Sequence, residues 1–183
     1  MPSSTILAHK NVKPDTIETH VSTQPTPEVE RSAVREDTPP PIVKLHPPAV
    51  HFAVALPILL LLLEIGYLLY RRPPDGLEMG AVLLSFLSVL TAYATGYVAH
   101  ESMEDMPIGE KAASLLHTHE RVGLTILLLL LAVLLLRVIY RYLRINILRY
   151  LYVLLAALAA ALVLYQGSLG GALVYDFGVG VHP

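Results

Sequence analysis

The chain contains no cysteine. That absence excludes disulfides, thiolate metal sites, iron–sulfur clusters and covalently attached c-type haem. The chain also lacks a basic segment leading into a short apolar run at its start, so no signal peptide is expected. There is no HExxH pair and no glycine-rich phosphate loop between a strand and a helix, and no nucleophile–base constellation can be placed. Its arginines flank apolar runs rather than forming a patch of their own, so nucleic acid is not an expected partner.

What is present is concentrated. Of 183 residues, 54% are hydrophobic, and the apolar ones gather after position 48. Four stretches approach or exceed the roughly 20 apolar residues that cross a bilayer: 49–70, 79–100, 115–140 and 148–172. The first contains LPILLLLLEIGYLLY and the third LTILLLLLAVLLL. The first 45 residues differ in kind, being rich in Pro, Ser, Thr and Glu, with the run Pro39, Pro40, Pro41. Such a segment buries too little apolar surface to offset the entropy of ordering. The expected architecture is an all-α membrane protein. An antiparallel four-transmembrane-helix bundle occupies 46–183, behind a disordered tail over 1–45.

Charge distribution gives an orientation. Arg71 and Arg72 follow the first span, and Arg137, Arg141, Arg144 and Arg149 surround the turn between the third and fourth. Those two loops share a side and hold only Asp75 and Glu78 as counter-charges. The opposite short loop is acidic, with Glu101, Glu104, Asp105 and Glu110 against Lys111. An excess of Arg marks the cytoplasmic side. We therefore expect a multi-pass protein of the bacterial inner membrane with both termini outside.

With that topology, six of the eight histidines fall at the outer face: His46, His51, His100, His117, His119 and His182. Ionisable groups near hydrocarbon are rare and mark function. Val89, Tyr93, Gly96 and His100 share a face of the second helix, and His119, Gly123 and Ile126 a face of the third. Each helix thus carries a glycine one turn below a histidine. That leaves room for a porphyrin edge or, equally, for close helix packing. His117 and His119 cannot both face the bundle if the helix is formed there, and His119 is favoured because it aligns with Gly123. Pro47 and Pro48 suit a helix start, His46 lies before them, and Pro57 lies inside the span.

In the fourth span Gly167 and Gly171 form a GxxxG pair, read as tight packing within the bundle. Tyr165 and Gln166 are placed to hydrogen-bond a ligand or an imidazole. After Gly171 the sequence GALVYDFGVGV is β-prone, and an extended cap over the outer opening is expected. Glu64 is the one acidic residue deep in a span. With no acidic partner it is read as a protonated carboxyl bonded to Ser85 or Tyr67 rather than as a proton relay.

The segments HPPAVHFAVALP, THERVG and GGALVYDFGVGV together resemble a bacterial family of predicted four-span membrane proteins, domain of unknown function twenty-two thirty-one. His46, His51, His119, Gly170, Gly171, Val174, Tyr175, Gly178 and Val181 match its pattern, whereas His100 and His182 fall outside it. The family name implies no activity. Some of its members are joined to cytochrome-like modules, so the resemblance implies redox work by analogy.

Three functions follow. The leading one is a b-type cytochrome-like electron-transfer subunit, with non-covalent haem b held by histidines near the outer face. Bundle cores house such sites. The pairs His51 with His119 and His100 with His119 serve equally well, with Gly96 and Gly123 beside them. All candidates lie at one depth, so a membrane redox complex, a quinone or a periplasmic electron carrier would have to complete the path. The second function is a zinc or copper site drawing on His46, His51, His100, His117, His119 and His182 with Glu101, Glu120 or Asp176. The third is a non-catalytic anchor or assembly subunit. A stand-alone enzyme is less expected than an electron-transfer or structural role.

Overall fold

The computed structural model describes residues 42–101 and 108–179. Residues 1–41, the central part of the acidic loop, and His182 lie outside the described residues. A short 3-10 turn, Val43–Leu45, leads into four helices: α1 (His46–Leu69), α2 (Gly76–Glu101), α3 (Glu110–Leu143) and α4 (Asn146–Tyr175). All four are long and apolar enough to cross a membrane. They follow the expected spans but extend beyond them. The amide-less Pro47 and Pro48 open α1, where their missing donors cost little.

Each helix packs on its two neighbours, giving the ring α1–α2–α3–α4, so α1 faces α3 and α2 faces α4 across the bundle axis. The outer surface is leucine-rich, with Leu59, Leu62, Leu128 and Leu154 exposed. The interior is largely apolar as well but also holds Glu64, Glu78, Ser85, Thr95 and Arg137. Apolar side chains outward and polar ones inward suit a lipid surrounding, in which unpaired polar groups cost several kcal/mol (about that order).

The buried stripes expose an internal repeat. On α1 they are Ala53, Pro57, Leu60, Glu64 and Tyr67. On α3 they are Ile126, Leu130, Val133, Arg137 and Tyr140, together with Ala112. The first five pairs are separated by one constant interval, the distance from His46 to His119. On α2 and α4, at an interval one residue longer, Glu78 corresponds to Tyr152, Val82 to Ala156, Ser85 to Ala159, Val89 to Val163 and Thr95 to Leu169. The turns correspond as well. Arg71 and Arg144, the only non-glycine residues with positive φ among those described, stand at the α1-to-α3 interval, with φ of 51° and 54°. Both end a helix in the left-handed conformation. Arg71 and Arg72 donate back to the Leu68 and Tyr67 carbonyls, and Arg144 donates to that of Tyr140. The bundle is therefore two α-hairpins, α1–α2 and α3–α4, related by an approximate two-fold axis along its length.

Beyond Gly171, α4 continues as helix to Tyr175 instead of forming the expected extended cap. Gly178, at φ 66°, then turns the chain, and the amides of Gly178 and Val179 return to the carbonyls of Val174 and Leu173. Helical hydrogen bonding satisfies every backbone group locally, whereas a β-prone segment at this depth would leave them unpaired.

Asp75 starts α2. Its Oδ1 accepts from the Leu77 amide at 2.9 Å and the Glu78 amide at 3.3 Å, the N-cap arrangement. The Tyr67 hydroxyl first, and then these amides and the Arg137 guanidinium, hold the Asp75 carboxyl below its ordinary range. A carboxyl depressed in the folded state contributes stability that is present above its ordinary value and lost as pH falls through the folded value. We predict that Asp75→Asn is less stable than wild type at neutral pH and loses less on acidification. Thermal unfolding in detergent across the acid range checks this, and parallel pH profiles would contradict it.

Candidate functional site

At one end of the bundle the structure assembles two sets of histidines. His46, at the start of α1, lays its ring against Gly96 of α2. A Cβ built at Gly96 would stand 2.8 Å from the His46 Cε1. The His46 Nδ1 lies 3.1 Å from the Ala92 carbonyl oxygen and 3.1 Å from the Thr95 Oγ1. A carbonyl only accepts, so Nδ1 carries the proton and Nε2 keeps its lone pair. Glycine is required here because the imidazole reaches a helix carbonyl four residues before it, through the space a side chain would fill.

His119 repeats the arrangement in the second hairpin. Its ring lies against Gly170 of α4, with Cε1 3.2 Å from where a Cβ would stand. The residue four before the glycine is here Gln166, whose backbone interacts with the His119 ring without a hydrogen bond to its Nδ1. The Gln166 side chain ties back, its Nε2 donating to the His119 carbonyl at 2.9 Å. The His119 Nδ1 and the Gln166 Oε1 are buried with no hydrogen-bond partner. His46 and His119 sit on diagonally opposed helices and are electrostatic neighbours.

The other histidines fall elsewhere. His51 stands exposed, its Nδ1 2.7 Å from the Pro47 carbonyl of its own helix. His100 meets His117 edge-on, with ring centroids 6.1 Å apart, and its Nδ1 lies 3.9 Å from Glu120 Oε2. Of the pairs expected from sequence, His51 with His119 and His100 with His119, the structure places His51 on the exposed side of α1 and His100 beside His117 and Glu120. The glycines are used differently too. Gly96 receives His46 rather than serving His100, and Gly123 faces Gln166 and Tyr93. Gly167 and Gly171 face open space, so the close approach expected of them belongs to Gly170. Glu101 and Asp176 are exposed at helix ends. Among the described residues no three His, Asp or Glu converge into a metal-binding group.

The opposite, arginine-rich end holds a buried polar cluster. The Arg137 Nε lies 2.9 Å from the Glu78 Oε1, with both side chains nearly inaccessible. The Tyr152 hydroxyl donates to the same Oε1 at 2.9 Å, and an Arg137 terminal nitrogen donates to the Asp75 carbonyl at 3.2 Å. Arg149 donates to the Arg72 carbonyl at 2.8 Å. The Glu64 carboxyl lies beside that of Glu78. Ser85 is buried without a partner and Tyr67 bonds Asp75, so neither plays the role toward Glu64 expected from sequence. Sequence reasoning missed this cluster because it assigned Glu78 to a loop and Arg137 to the flanking positive charges. One available signal was the spacing: Glu64 follows His46, and Arg137 follows His119, by about five helical turns, on one stripe.

Removing one partner of a buried ion pair leaves the other uncompensated and costs about 3–5 kcal/mol. We predict that Arg137→Leu destabilises by about that amount, and that the double variant Glu78→Leu with Arg137→Leu recovers a large part of the loss. Reversible unfolding in mixed micelles checks this. A double variant no better than the single would mean that the pair is not coupled.

Comparison with curated proteins and with solved structures gives no match. The family comparison does give one: the profile of predicted membrane proteins called DUF2231 matches residues 43–183, which take in all four helices and both polar ends, and the chain belongs to that family.

Proposed function

We propose that this protein is a membrane-embedded b-type haem subunit for electron transfer, with His46 and His119 as the axial pair. The observation that carries this proposal is the repeated imidazole–glycine arrangement. Two rings from diagonally opposed helices are each held against a glycine, and that of His46 also bonds a helix carbonyl. A metal-bound imidazole needs its second ring nitrogen anchored to a carbonyl or carboxylate, which fixes ring orientation and tautomer. His46 meets that requirement in full. The buried, unpartnered Nδ1 of His119 belongs to a ring that would be settled by ligation on its other side. Two converging imidazoles suit haem better than zinc, which takes three or four protein ligands.

When bound, haem would supply one-electron reduction and oxidation. The chain's own part is to hold two neutral imidazoles, to restrict water with Tyr93 and Gln166 around Gly123, and to keep the site at one membrane face. Electrons would then be exchanged with a redox partner at that face, either a soluble carrier or a subunit of a membrane complex.

We predict that His46→Ala and His119→Ala abolish the Soret band of protein purified from haem-supplied cells, while both variants still insert. His51→Ala should retain it. Gly96→Ala, which displaces the His46 ring, should weaken haem affinity about 10-fold or more. Full haem retention in both histidine variants, or a featureless wild-type spectrum despite adequate haem supply, would overturn the proposal.

A further inference from the structure

The polar cluster at the arginine end has no part in the haem proposal and stands independently of it. Glu64 of α1 and Glu78 of α2 are both fully inaccessible. Their carboxyls adjoin. The Glu78 Oε1 is fully engaged by Arg137 and Tyr152. Its Oε2 receives no donor, and neither does either oxygen of Glu64. Three acceptor oxygens of these two carboxyls are thus buried on the packed helices α1 and α2 with no hydrogen-bond donor. Neighbouring carboxylates in a medium of low dielectric oppose each other's ionisation, and an unsatisfied buried acceptor costs about 1–3 kcal/mol. One proton placed between the two groups removes both penalties.

We propose that Glu64 and Glu78 form a one-proton binding site, an acid–carboxylate pair sharing a single hydrogen inside the membrane domain. On uptake, a proton forms an O–H bond to Glu64, which then donates to the Glu78 Oε2. On release, that bond breaks and the proton leaves toward the arginine end. The charged groups facing the pair come from every helix around it. From α3, Arg137 neutralises Glu78, with Tyr140 beside the guanidinium. From α4, Arg149 contributes a second positive charge near Glu64, and Tyr152 donates to Glu78. The exposed Asp75, which interacts with the buried Tyr67, lies at the same end. With both glutamates ionised the two arginines balance them, and with one protonated the cluster gains a positive charge. The two states therefore differ by a single charge, one neutral and the other singly positive.

Infrared spectroscopy of the full-length protein in lipid bilayers tests this. The wild type at neutral pH should show the carbonyl stretch of a protonated carboxylic acid that moves in D2O, is lost at high pH, and is unaffected by exchanging potassium for sodium. Glu64→Gln should remove the band while circular dichroism retains the full helical signal. Glu78→Gln should shift it, because the acceptor of the shared hydrogen changes. The D2O shift in wild type is informative even if a variant fails to fold. No such band in the wild type, or a band unchanged in Glu64→Gln, would overturn the proposal. Loss of the band on adding sodium at constant pH would also overturn it, since the occupant would then be a metal cation.

Discussion

A guanidinium buried in a membrane bundle must find an anion, and the bundle is organised around how Arg137 finds one. Its Nε meets Glu78 at 2.9 Å, and Tyr152 completes the same carboxylate oxygen. This one contact fixes the rotation of α2, α3 and α4 together. The bond from Arg137 to the Asp75 carbonyl also fixes where α2 begins. Lipid tails are as apolar as leucine, so no hydrophobic drive sets the mutual rotation of helices inside a bilayer. Polar contacts and close glycine approaches must do it. The ion pair does so at one end, and the seats of His46 on Gly96 and His119 on Gly170 do so at the other.

The two hairpins share one design. At the histidine end the corresponding residues include two identical pairs, His46 with His119 and Gly96 with Gly170. At the arginine end they have become complementary, Glu64 with Arg137 and Glu78 with Tyr152. Retaining glutamate at all of those acidic positions would crowd carboxylates around the axis. Arginine and tyrosine turn repulsion into an ion pair and a hydrogen bond. Along α1 or α3 the two ends are separated by about 27 Å, close to the roughly 30 Å hydrocarbon thickness of a bilayer. A histidine-bearing end and an acid–guanidinium end thus lie at opposite ends of one membrane domain.

The four helices and the gathering of histidines at one end are legible in the sequence, because run length and loop order determine both. Convergence is not, because it depends on the rotation of each helix about its own axis. His51 lies within the predicted span and His46 before two prolines, so sequence favours His51. The helix in fact begins at His46, which turns inward, while His51 turns out to face its own Pro47 carbonyl. Gly96 and Gly123 are legible as small positions, but the glycine that seats His119 is Gly170, three residues along from the more conspicuous Gly167 of the GxxxG pair. Glu78 and Arg137 were hidden by their closeness to helix ends, where charge is ordinarily solvated. Only their partners across the axis reveal them as interior.

The most direct measurement is electron paramagnetic resonance of the haem-loaded ferric protein labelled with nitrogen-15 histidine. A low-spin ferric signal with hyperfine couplings from two histidine nitrogens is expected if the imidazoles of the two hairpins act together on one metal. A high-spin signal, or coupling from a single histidine, would contradict the pairing of His46 with His119.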